Sequence, residues 1–196
     1  MQPRVGQPKP PESSEPHEHE RHWLGRCQAG DATAFQPLLR PYLAGLLALA
    51  RRQCRDPHWA EDLVQETLVR AFRGLPGFRG DAALRTWLFR ILVRLAAEPQ
   101  RWRRTDAVQS LDADVPDHFD APADRSAMAR ELQDRLDEAM ERLTVRQRTA
   151  LHLRAVEGMD YAAIADVLQC TPVAARMHVL AARRKVLHRV KEHLDP

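Results

Sequence analysis

Three groups of side chains in this sequence have the types and spacing to do chemistry, and all of that chemistry is non-covalent. Asp62, Gln65 and Glu66 recur at three- and four-residue intervals, which puts them on one face of a helix as an acidic and amide surface suited to docking. Trp87, Arg90 and Arg94 share another helix face, and Arg101-Trp102-Arg103-Arg104 follows as a compact basic and aromatic cluster. An aromatic ring set among guanidinium groups suits a nucleic-acid strand, because bases stack on rings while phosphates pair with cations. Blander readings exist for each: a solvated acidic face, a core tryptophan, a charged helix end. No nucleophile, base and orienting group occur together at a convincing spacing, so no catalytic residues are assigned and an enzyme is not expected. His17, His19, His22 and Cys27 are read as chance neighbours, with no metal and no cofactor implied.

Helical elements must position these groups. Between Asp56-Pro57 and Gly74, Val64, Leu68, Ala71 and Phe72 form an apolar stripe; Asp as N-cap and Pro at the first position mark the start, and Gly74 with Pro76-Gly77 the stop. After a loop over 75–81, Leu84, Leu88, Ile91 and Leu95 make a second stripe, and Pro99 ends that helix near Glu98. Upstream, Asp31 caps a helix whose apolar face includes Phe35, Leu38, Leu39, Leu46 and Leu47, and Pro41 should kink or divide it. Together these make a small bundle over 21–104.

Residues 1–20, rich in Pro, Glu and His without apolar periodicity, are expected to be disordered. Residues 105–125 carry Asp106, Asp112, Asp114, Asp117, Asp120 and Asp124 and read as an acidic linker. A second helical unit spans 126–196. It has an amphipathic helix over 126–143, a capping-box start at Thr144-Val145-Arg146-Gln147, an Asp160-capped short helix, and a long basic helix opening at Thr171-Pro172. Short helix, turn and long basic helix form the helix-turn-helix pattern, which would place Arg176, Met177 and His178 near base edges and Arg183 and Arg184 near phosphates.

Bulk composition agrees with helix. The 196 residues include only 8 Gly, hydrophobic residues make up 44%, and the net charge is +3. A pI near 9.0 is only mildly basic, so the distribution of charge says more than its sum: basic ends flank an acidic middle. The three isolated cysteines suggest neither a disulfide framework nor a zinc knuckle, and point to a reduced, cytoplasmic setting. No apolar run approaches the roughly 20 residues of a membrane span, and no secretory signal pattern is present.

The order of short motifs resembles the bacterial sigma factors of the extracytoplasmic-function group. Gly30-Asp31 with Ala34-Phe35, then Ala60-Glu61-Asp62-Leu63-Val64-Gln65-Glu66, then Phe78-Arg79-Gly80-Asp81, then Trp87-Leu88-Phe89-Arg90-Ile91 look like successive signatures of sigma region 2. Leu143, Arg148, Leu151, Leu153-Arg154, Gly158, Tyr161, Ile164-Ala165 and Leu168 look like region 4. The resemblance implies an all-α chain of two helical domains that binds core RNA polymerase, through the clamp coiled coil of the largest subunit and the flap. It also implies that promoter DNA is recognised and melted and that an anti-sigma factor exerts control. It puts Asp62, Gln65 and Glu66 on the clamp, and Phe78 and Arg79 at a pocket for a flipped promoter base. Trp87, Arg90, Arg94, Arg101, Trp102, Arg103 and Arg104 would lie along melted strand.

Two departures from the family pattern fall on the DNA side. Val173-Ala174-Ala175-Arg176-Met177-His178 stands where relatives show Gly-Thr-Val-Lys/Arg-Ser-Arg, with only Arg176 matching, so the upstream sequence read should be unusual or weakly read. Arg94 replaces an asparagine, exchanging a donor-acceptor for a charged donor. A stand-alone helix-turn-helix regulator, or a divergent sigma-like interaction protein that no longer reads promoters, remains open as an alternative.

Overall fold

The structure, a computed structural model, describes residues 16–54, 56–98, 135–136 and 138–194. Pro99, the cluster Arg101, Trp102, Arg103 and Arg104, the acidic stretch 105–125 and most of the helix expected over 126–143 lie outside the described residues. Among the described residues the regular elements are helices and no strand occurs, as the sequence pattern requires.

Helix α1 (Pro16–Gln28) begins inside the stretch expected to lack structure. Its missing apolar period is offset by tertiary contact: Trp23, Leu24 and Cys27 pack against the core, and Glu18 in the first turn suits the helix dipole. Asp31 then caps the next turn, accepting from Thr33 N at 2.9 Å and from Arg26 Nε at 2.9 Å. The Thr33 contacts first and Arg26 second hold its carboxyl below the usual range.

Pro41 divides the following segment as expected. Helix α2 (Phe35–Leu39) gives way to a 3-10 turn over Arg40–Tyr42, and α3 (Leu43–Gln53) restarts the apolar run. Asp56 accepts from His58 N at 2.8 Å ahead of Pro57 and so opens α4 (Pro57–Gly74). The buried stripe of α4 differs from the expected one: it runs through Ala60, Leu63, Val64, Thr67 and Ala71, whereas Leu68 is half-buried and Phe72 is 49% exposed. Packing between α3 and α5 sets this orientation. Thr67 enters the core because its hydroxyl donates to Leu63 O at 2.7 Å, which removes most of the cost of burying it. Helix α5 (Leu84–Ala96) buries Leu84, Leu88, Phe89, Leu92 and Leu95, with Ile91 half-covered.

In the second unit, α6 (Val145–Ala155) starts on the expected capping box, with both reciprocal bonds between Thr144 and Gln147 formed at 3.3 Å. Asp160 caps α7 (Tyr161–Leu168) by accepting from Ala163 N at 2.7 Å. A left-handed Gln169 ends α7, and α8 (Pro172–Leu194) follows.

One apolar cluster runs through both groups of helices, because α5 packs against α7 and α3 against α6. The joint is edged with polar pairs. Gln53 Nε2 donates to Thr149 Oγ1 at 2.8 Å, and Arg85 pairs with Glu157. Gly45 lies under the Glu157 carboxylate, whose Oε1 would stand 2.7 Å from a Cβ there. His152 lies at the same joint with its side chain 1% exposed and both ring nitrogens without a hydrogen-bond partner; Glu157 Oε1 stands 3.6 Å from Nε2. Burial, helped by the charge of Arg52 and opposed by Glu157, pushes its pKa down to about 4.

Candidate nucleic-acid interface

Helix α4 presents Asp62 and Gln65 to solvent, with Glu66 beside them at intermediate exposure and the 40%-exposed Val69 one turn on. Glu66 accepts from Arg70 Nε at 3.0 Å, and Arg70 also reaches Glu98 at 3.1 Å. The face is thus partly pre-ordered: Glu66 is held by a same-helix pair, and the Asp62 carboxylate projects near the start of the stripe.

At the far end of α4 the chain turns through a 3-10 segment (Leu75–Gly77) and presents Phe78. Gln28 on α1 donates to Phe78 O at 2.8 Å, which fixes the loop from outside. The Phe78 and Trp87 rings sit 5.1 Å apart and tilted by 47°, a contact that orients both without stacking them flat. Trp87 in turn lies against the end of α4, where a Cβ on Gly74 would come within 3.0 Å of its ring. Gly80, at φ +80°, takes the left-handed turn that returns the loop toward α5.

Phe78, Arg79, Trp87 and Arg90 line a cleft of about 470 Å³. A cleft with two aromatic rings and two guanidinium groups on its walls can hold a base by its π-face and a phosphate by its charge. Asp166 of α7 also reaches this cleft and pairs with Arg90, while the buried Arg90 Nε has no hydrogen-bond partner. Arg94 lies exposed about one turn beyond Arg90 along α5 and is not among the cleft's lining residues. Sequence reasoning missed Gln28, Asp166 and the Arg85 to Glu157 pair. No local signal marks them, since each partner lies 50 or more residues away.

In the second unit, Ala175, Val179 and Ala182 of α8 are fully buried against α6 and α7. Arg176, Met177, Arg183 and Arg184 are exposed and His178 is intermediate. Thr171 Oγ1 accepts from Ala174 N at 3.2 Å and steadies the helix start.

A family model for sigma-70 region 2 matches residues 38–107, and one for sigma-70 region 4 matches residues 133–186, together more than half of the chain. The chain belongs to the sigma-70 family. Within it the chain is a sigma factor of the extracytoplasmic-function group, a non-enzymatic protein of transcription initiation. It is 35% identical over 179 residues to the RNA polymerase sigma-H factor of Pseudomonas aeruginosa, covering 86% of this chain and 92% of that one. Identity to the ECF RNA polymerase sigma-E factor of Haemophilus influenzae is 31% over 179 residues, covering 85% and 92%. Among solved structures, CnrH in complex with the cytosolic domain of CnrY shares the fold, with a TM-score of 0.66 at 24% identity over 89% of this chain and 98% of that one. The sigma factor RpoE bound to the anti-sigma factor NepR from Bartonella quintana gives a TM-score of 0.64 at 25% identity, covering 80% and 96%. Among the described residues no helix of this sigma factor is long and apolar enough to cross a membrane.

Proposed function

We propose that this sigma factor divides its work at the boundaries read from the sequence. The unit over 21–104 docks on core RNA polymerase and holds melted promoter strand, the linker over 105–125 spans between units, and the unit over 126–196 grips upstream duplex. The observation that carries this reading is the continuity of two surfaces on one rigid pair of helices. Asp62, Gln65 and Glu66 lie along α4, and the Phe78, Trp87 and Arg90 cleft sits where α4 hands over to α5. A cationic or amide-bearing clamp helix meets the first surface, and a flipped base with its phosphate meets the second. Arg79 and Arg94 extend the cationic edge, and Arg101, Trp102, Arg103 and Arg104 continue it in sequence. On α8, the N-terminal half that carries Arg176, Met177 and His178 enters the major groove, while the neighbouring cations, Arg183 and Arg184 among them, meet phosphates. Work on core polymerase and its flap places the protein in the cytoplasm. The Bartonella relative is held by an anti-sigma factor, and a regulator of that kind belongs to the reading for this chain.

The Arg90 edge that pairs with Asp166 cannot hold a backbone phosphate at the same time, so Asp166 competes with single strand for that cation.

Run-off transcription with core polymerase on genomic fragments tests the docking half. Wild type should initiate, and the double Asp62→Ala, Glu66→Ala variant should fail to initiate and fail to co-migrate with core. Initiation unchanged in the double variant would remove the proposed docking face.

A further inference from the structure

Along α8 the buried positions Ala175, Val179 and Ala182 fix which side of the helix points away from its own unit. On that outward side Val173 is 72% exposed, Met177 58% and Leu180 41%, at spacings of four and three residues, so they form one apolar line over the first two turns. Arg184 continues the line, and the exposed Arg176 and Arg183 stand along its edge. The centre of the reading face is thus apolar and its margin cationic. An apolar partner helix would match the centre and leave the guanidinium groups unanswered, whereas the major groove matches both. Its walls are phosphates, and its floor carries one apolar group, the thymine C5 methyl.

We infer that Val173 and Met177, with Leu180 beside them, make this sigma factor select thymine-bearing pairs in its upstream element by contact with C5 methyl groups, while Arg176 and Arg183 hold the flanking phosphates. The inference rests on reading α8 as the duplex-binding helix. Val173 and Met177 lie about 6 Å apart along the axis, roughly two base-pair steps, so they address neighbouring positions, and neither side chain can read guanine by a bidentate pair.

The test selects upstream sequences from a randomised duplex with the full chain on core RNA polymerase, then replaces thymine by deoxyuridine, which removes only the methyl group. A·T pairs should be enriched at two or more adjacent positions, and each substitution should weaken binding about fourfold, the scale of burying one methyl group. The Val173→Ser and Met177→Gln variants, at positions too exposed to disturb folding, should bind thymine and deoxyuridine alike. Equal binding of the two bases by wild type overturns the inference. If Arg176→Ala still weakens duplex binding in that case, the helix remains the duplex-binding element and only the methyl reading is lost. If no substitution on α8 changes upstream binding, both fall, and the apolar line belongs to a protein partner.

Discussion

Around Phe78 the functional side chains brace one another, whereas along α8 they stand apart. Phe78 touches Trp87, Trp87 lies over Gly74, Gln28 holds the loop, and Arg90 is tied to Asp166. Val173, Met177 and Leu180 instead project from a helix whose opposite side does all the packing. On the proposed reading the first surface keeps a pocket open around a base taken out of its stack, and a pocket needs walls that support each other. On the same reading the second has only to present a face to a groove that DNA already provides. A change at the first surface should therefore move stability and function together, and a change at the second should move function alone.

The largest test of that contrast is Trp87→Ala. The indole is partly buried against the core and in contact with Phe78 and the end of α4. Its removal should cost about 3 kcal/mol, toward the low end for buried aromatic truncations because part of the ring is exposed. Urea unfolding of the free chain checks this, and a loss under 1 kcal/mol would mean that the pocket is not braced as described.

Next in size is the pH response of the joint. His152 is buried neutral, with a folded-state pKa of about 4 against an ordinary value of 6.5. Below pH 6.5 the unfolded chain takes up a proton that the folded chain refuses, so stability falls as pH drops through the window from 6.5 to 4. Between pH 7 and 5 this one residue should cost about 2 kcal/mol. A His152→Leu variant should lose that much less over the same interval; parallel curves for the two proteins would place the proton uptake elsewhere.

What could be read in advance follows the range of the interactions. Caps are local, so Asp31, Asp56-Pro57, the Thr144 and Gln147 box, Asp160 and Thr171-Pro172 announce their helices from a few residues of context. Pro41 divides its helix for an equally local reason. The sequence pattern of α4 favours a strip through Leu68 and Phe72, which are more hydrophobic than Thr67, but the positions of α3 and α5 decide which strip is covered. Helix α1 lacked an apolar period yet forms where Trp23 and Leu24 find the core. The cleft's aromatic and cationic members were legible as residue types on one helix and its preceding loop. Asp166 was not, since it arrives from 76 residues away with no sequence signal of its destination.

That carboxylate supplies a smaller test. Arg90 and Asp166 are each about a third exposed, 32% and 38%, so solvent screens the pair and Asp166→Asn should cost no more than about 1 kcal/mol. Its effect on access should exceed its effect on stability. The free variant should bind a fluorescent single-stranded oligonucleotide severalfold more tightly than wild type, because the cleft's cation is released. Equal anisotropy titrations would show that the acid does not compete for the site.

The smallest expected shift is also the sharpest check on the contrast. Val173 and Met177 are 72% and 58% exposed, and their helix is held by Ala175, Val179 and Ala182 on its other side. Replacing them with Ser and Gln removes apolar surface that is already in water, so unfolding should change by less than about 0.5 kcal/mol in either direction. The braced surface cannot be altered that quietly, because each of its rings is part of another residue's support. If the α8 pair destabilised the free chain by as much as Trp87→Ala, its face would be packing surface in solution, and the division between a built pocket and a presented helix would not describe this protein.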